Sequence, residues 1–188
     1  MNPSFVAAAL LQVSSSVPPG INVTDRVQTY AITGTTLAAL QKQLNALGPT
    51  PAADGGRFAA STKWNLQWHF DYARDDSGCR IASSQVELTT VMTLPAWADA
   101  AQASPQLQRR WGEFLTHLRA HEDGHREHGL IAARAVRHVI DHVGRAMDCQ
   151  TLATQVDAFA HAAIAEQSWA DRDYDARTRH GQTQGAQL

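Results

Sequence analysis

The chain has 188 residues, 44 % of them apolar, with 18 acidic against 16 basic side chains and a formal net charge of −2. That length suits one domain, and the apolar share is enough for a packed core. The charge balance excludes the basic footprint of a nucleic-acid binder, and no run approaches the roughly 18 apolar residues that a transmembrane helix needs.

The chain opens with "FVAAALLQVSSSV", a short apolar run followed by small residues. It resembles the middle of a signal peptide but lacks the Lys/Arg start. It reads either as a signal with a clipped start or as a disordered lead. Residues 1–20 are therefore set apart from a single expected domain over 21–188. Within that domain, "RVQTYAITG" (26–34) alternates as a strand does. "TTLAALQKQLNALGP" then places Leu37, Leu40, Leu44 and Leu47 at helical spacing, ended by Gly48-Pro49. The clearest strand is "FAASTKWNLQWHFDYAR", with Trp64, Leu66, Trp68, Phe70 and Tyr72 on one face. The two tryptophans read as core rather than subsite. A "DDSG" turn leads to a second strand, "CRIASSQVELTTVMTL", which carries Val86, Leu88 and Met92 on one face and should stop at Pro95. Ser104 followed by Pro105 makes an N-cap and first-turn pair for a long helix to about Ala146, and a further helix runs from about Cys149 to Trp169. The order β-α-β-β-α-α predicts an α+β fold: a small antiparallel sheet packed on two long C-terminal helices.

Two cysteines, Cys79 and Cys149, stand far apart and not as C-x-x-C. They are either two small core residues or one disulfide formed in an oxidising compartment. A redox motif or zinc ribbon is excluded by the spacing.

The chemistry concentrates in "HLRAHEDGHREHGL", residues 117–130. On the long helix, Trp111, Leu115 and Leu118 below, and Ala132, Val136, Ile140 and Val143 above, trace one apolar stripe. That stripe passes by His121, Glu122 and His125. Polar groups interrupting a buried face must be satisfied, at a cost of about 1–3 kcal/mol each if they are not. The spacing His121-Glu122-x-x-His125 answers this need. Residues at i and i+4 are helix neighbours, so two imidazoles can converge on one Zn²⁺. Glu122 projects about 100° round the helix, beside the ion, where a general base is wanted. Gly124 lies inside the motif, either as tolerated noise or because something approaches closely there. His117 and His128 lie about 16 Å apart along the axis and read as flanking residues. The metzincin pattern needs Gly and His at positions occupied here by His128 and Ile131, which excludes that class.

A third ligand must come from elsewhere. Glu166 falls in line with Leu152, Phe159 and Ala163 on the last helix. His180 lies in the polar tail "YDARTRHGQ". Residue reasoning leaves the two equal, and Glu166 could instead accept a hydrogen bond from a ligand histidine. "HEDGH" together with "YDARTRHGQTQGA" resembles a bacterial family of predicted secreted zinc-dependent proteases, catalogued as a domain of unknown function. The likeness runs from about Tyr30 to the end and takes in "YAITGTTLAAL", "FAASTKWNLQW", "LPAW" and both cysteines. It implies a zincin-like domain in which His180 returns to the metal as third ligand, with Tyr174, Asp175 and Thr178 shaping the site.

The expected function is then zinc-dependent hydrolysis of a protein or peptide substrate in a secreted or periplasmic setting. Glu122 is the general base, Tyr174 a candidate donor to the developing oxyanion, and Asp175 a support for a ligand histidine. The rival expectation is a zinc-stabilised binding module of the cell envelope without turnover. A metal-free helical adaptor is the third.

Overall fold

The computed structural model describes residues 19–50 and 56–188. Most of the lead at 1–20 and most of the 50–56 loop therefore lie outside the described residues. The order of elements is β1 (Ile21–Ile32), α1 (Leu37–Leu47), β2 (Ser61–Asp75), β3 (Gly78–Trp97), α2 (Pro105–His142), β4 (Arg145–Ala146) and α3 (Cys149–Thr178). Single 3-10 turns at Ala100–Gln102 and Gln182–Gln184 complete it. This is the α+β class, with two long helices at the C-terminal end.

The sheet is mixed rather than wholly antiparallel. β2 and β3 form the expected hairpin, with Leu66 opposite Leu88, and β1 joins the far side of β3 in parallel, with Val23 opposite Leu88. Alternation reports which face a residue takes, not the direction of its strand, so the polar β1 gave no sign of its orientation. β1 also begins five residues earlier than its pattern predicts, because Asn22, Thr24 and Asp25 break the alternation of apolar residues. A register shift at Asp71/Tyr72 skips Ala82 of β3, and Tyr72 at this end of the strand is 42 % exposed with its ring edge-on to Phe70. Pro95 does not end β3. It lies beyond Thr93, the last β3 residue that β2 pairs, and sits opposite Tyr30 of β1.

α2 begins as predicted, with the Ser104 hydroxyl accepting from the Leu107 N–H and Pro105 in the first turn. It stops at His142, earlier than its pattern, because Gly144 turns to a φ of 74° and Arg145–Ala146 pair with β3. α3 runs nine residues further than predicted, to Thr178, so the first part of the apparent tail is helix. Its buried face holds Cys149, Leu152, Val156, Ala160 and Thr178. Phe159 is 59 % exposed, so the stripe through Phe159 and Glu166 was phased wrongly. Alanine-rich α3 offers few large side chains to fix that phase.

A disulfide joins Cys79 at the start of β3 to Cys149 at the start of α3. The described core falls into three apolar clusters. The first gathers Ile32, Leu40, Leu94, Trp111, Phe114 and Leu118; the second gathers Leu66, Val86, Leu88, Leu130, Val136 and Val156; a small third one holds Leu152 against the disulfide. Along α2, the stretch His121–His125 lies between Leu118 of the first and Leu130 of the second.

Candidate metal centre

The buried face of α2 brings His121, Glu122 and His125 inside, at 2 %, 2 % and 7 % exposure. The partners come from α3. Asp175 Oδ1 lies 3.1 Å from His121 Nε2 and 3.2 Å from His125 Nε2, and the two imidazole nitrogens are 3.4 Å apart. Donor atoms about 2.0–2.1 Å from one tetrahedral ion are roughly 3.3 Å from each other. The three separations match that edge length. His121, His125 and Asp175 could therefore hold a metal ion.

Asp175 thus takes a position that the sequence reading gave to His180 or Glu166. His180 is drawn near, with Nδ1 3.2 Å from Asp175 Oδ1 and its ring on Phe58 at 3.8 Å, but it lies outside the three-residue group. Glu166 is exposed and lines none of the site. The long extension of α3 is the reason: Asp171 and Asp175 follow one helical turn apart on the face toward α2.

Each histidine is held from behind. His125 Nδ1 donates to Asp171 Oδ1 at 3.1 Å, and Asp171 also accepts from Trp64 Nε1 at 2.6 Å and pairs with His128 Nδ1. His121 Nδ1 donates to Gln184 Oε1 at 2.9 Å. With both Nδ1 atoms engaged in this way, both Nε2 atoms are left to face Asp175. Asp171, His128 and Gln184 were not among the predicted site residues. The helix periodicity could have placed Asp171 one turn before Asp175, but nothing local marked Gln184.

Tyr174 does not face the cavity. Its ring stacks on His121 (centroids 4.8 Å apart, planes 16° apart), and its hydroxyl donates to the His121 carbonyl and accepts from Gln184 Nε2. It braces a histidine rather than meeting an oxyanion. Its position also explains Gly124. A Cβ there would lie 2.5–2.7 Å from the Tyr174 ring and hydroxyl, so the close approach is a side chain of α3. Thr178 is buried and shapes the turn after α3. Its hydroxyl donates to the Tyr174 carbonyl and accepts from the Gly181 N–H. Arg179, His180 and Gly181 follow with φ of 51°, 53° and 81°, which turns the chain back over His121.

Charges are arranged around this cluster. Burial opposes ionisation of Asp175, but hydrogen bonds from His121 and His125 hold its carboxyl well below the usual range. Burial likewise disfavours a charged His125, yet Asp171 and Asp175 raise it to about 10 in the metal-free protein. Glu122 goes the other way: burial pushes it up, against the pull of His125. Glu122 Oε2 and the Thr62 hydroxyl are both buried without a close hydrogen-bond partner among the described residues, and Thr62 lies near enough to the Glu122 carboxyl to draw it down slightly against burial. Glu122 lines a cavity of about 610 Å³ with His121, His125, Asp175 and His180, walled on one side by residues 57–63 leading into β2.

The fold and cluster define an α+β protein with a His/His/Asp group that could hold a metal ion, beside the buried carboxylate of Glu122. The chain belongs to the family described as "Bacterial protein of unknown function (DUF922)", which matches residues 27–181. No curated protein and no solved structure matches it.

Proposed function

We propose that the protein is a zinc-dependent peptidase acting outside the cytoplasm. The observation that carries this reading is Glu122 Oε2, buried and unpartnered in the cavity wall beside His121, His125 and Asp175. An orphaned buried acceptor costs about 1–3 kcal/mol, and a general base waiting for water is a reason to keep it. Two imidazoles and a carboxylate suit zinc, and also non-haem iron. The extra carboxylate, in place to move a proton, favours hydrolysis.

His121, His125 and Asp175 would hold the ion, and His180 would orient Asp175. When bound, zinc would acidify a coordinated water and polarise a carbonyl. Glu122 takes a proton from water in the cleft and hands it to the leaving amine. Its raised proton affinity suits that transfer. β2 pairs only with β3, so its other edge is free among the described residues. A peptide laid beside Ser61–Lys63 would gain strand-like hydrogen bonds along the wall of the same cavity. The Cys79–Cys149 disulfide supports an oxidising compartment. No described helix is long and apolar enough to cross a membrane.

The test is Glu122→Gln. It should leave zinc bound and abolish cleavage of an unfolded protein that the wild type cleaves and a chelator protects. Wild-type cleavage by the variant would refute the role of Glu122. Zinc bound by a wild type that cleaves nothing would favour the non-catalytic binding module.

A further inference from the structure

The two histidines of the cluster are backed by different chemistry. His125 leans on the carboxylate of Asp171, whereas His121 leans on the neutral amide of Gln184. The turn that carries Gln184 is built around the His121 ring. Gly181 precedes it with a φ of 81°, and a Cβ there would lie 2.9 Å from His121 Cγ. Gly185 follows with a φ of 94°, against the ring of His117. Within the turn, Gln184 N–H bonds to the Gly181 carbonyl at 2.9 Å. The Gln184 side chain then spans two groups, accepting from His121 Nδ1 at 2.9 Å and donating to the Tyr174 hydroxyl at 3.0 Å. Tyr174, stacked on His121, closes the remaining side.

We infer that Gln184 is a positioning residue for the metal centre: by accepting the Nδ1–H of His121 it fixes the ring so that Nε2 is the nitrogen turned to Asp175 and able to exchange its proton for a metal ion, and so sets metal affinity. This rests on the metal reading above and goes beyond it, since that reading gives Gln184 no role. The chemistry has a direction. A carboxylate behind a ligand imidazole makes it a more basic donor than an amide does. Gln184→Glu should therefore bind zinc at least as tightly as the wild type, while Gln184→Leu, of similar size but without an acceptor, should lose affinity.

The experiment is zinc titration of the full chain against a chromophoric chelator, with Co²⁺ absorption as the second readout. Gln184→Leu should bind Zn²⁺ about 10–100-fold more weakly, with a shifted Co²⁺ spectrum. Gln184→Glu should restore both. Gln184 is exposed, so the metal-free thermal midpoint of the Leu variant should stay at the wild-type value. A Leu variant that binds Zn²⁺ as tightly as wild type overturns the inference, because solvent then replaces the amide. A loss that Glu does not restore also overturns it, since the turn would then be acting only as packing. A wild type that binds no Zn²⁺ fails the metal reading itself, so the two failures are told apart.

Discussion

Replacing Gly124 with alanine tests the packing over the metal cluster through the sign of a stability change. Within an exposed helix, Gly→Ala is worth about 1 kcal/mol in favour of the variant. Here the new methyl would lie 2.5 Å from the Tyr174 hydroxyl oxygen and 2.6–2.7 Å from two ring carbons, well inside contact distance. The ring cannot swing away cheaply, because it stacks on His121 and its hydroxyl is tied to Gln184. Overpacking of this kind costs about 1–3 kcal/mol. The net expectation is destabilisation of up to about 2 kcal/mol, or a fall of several degrees in Tm for a chain of this size. A double-mutant cycle separates the two contributions. In a Tyr174→Ala background the obstacle is gone, and Gly124→Ala should become stabilising by up to about 1 kcal/mol. Urea denaturation of the four metal-free proteins provides the numbers. A Gly124→Ala single variant more stable than wild type would refute the packing argument, and with it the account of why glycine stands inside the motif.

Zinc at a hundredfold excess over its Kd should add about 2.7 kcal/mol of stability; Asp175→Ala should abolish that gain and Glu166→Ala should leave it intact, read by thermal shift. Replacing Cys79 and Cys149 together by alanine should cost about 4 kcal/mol on the chain-entropy argument, since the bond closes a separation of 70 residues, and calorimetry should show it as a fall on the order of 10 °C. Asp25 is held below the ordinary carboxylate value chiefly by its hydrogen bonds from Arg126, with the Thr90 hydroxyl adding to them against the opposing effect of burial. Because its folded pKa is depressed, that stability is present above about pH 4 and lost as pH falls through the folded value. The pair is partly exposed, so Asp25→Asn should cost no more than about 1 kcal/mol near pH 7, and the gap between urea midpoints should close in acid.

The linear sequence determined the pieces whose signal is local. The period-two run from Trp64 to Phe70, the Ser104-Pro105 helix start, and His121, Glu122 and His125 on one stripe all follow from spacing along one element. That is why the α+β class and the histidine pair were legible. Only tertiary structure decided what met them. Strand direction has no periodic signature, so the parallel seating of β1 was hidden. α3 is rich in alanine, whose small side chain barely marks a helix face, and the true phase emerged only when Val156 and Ala160 packed against the core. That phase carries Asp171 and Asp175 to the histidines and leaves Glu166 in water. Gln184 reaches His121 because three successive left-handed residues fold the chain back, and that proximity across 63 positions has no local pattern to announce it. The sequence could name groups that want a metal, whereas the crossing of two helices selected which groups complete the set.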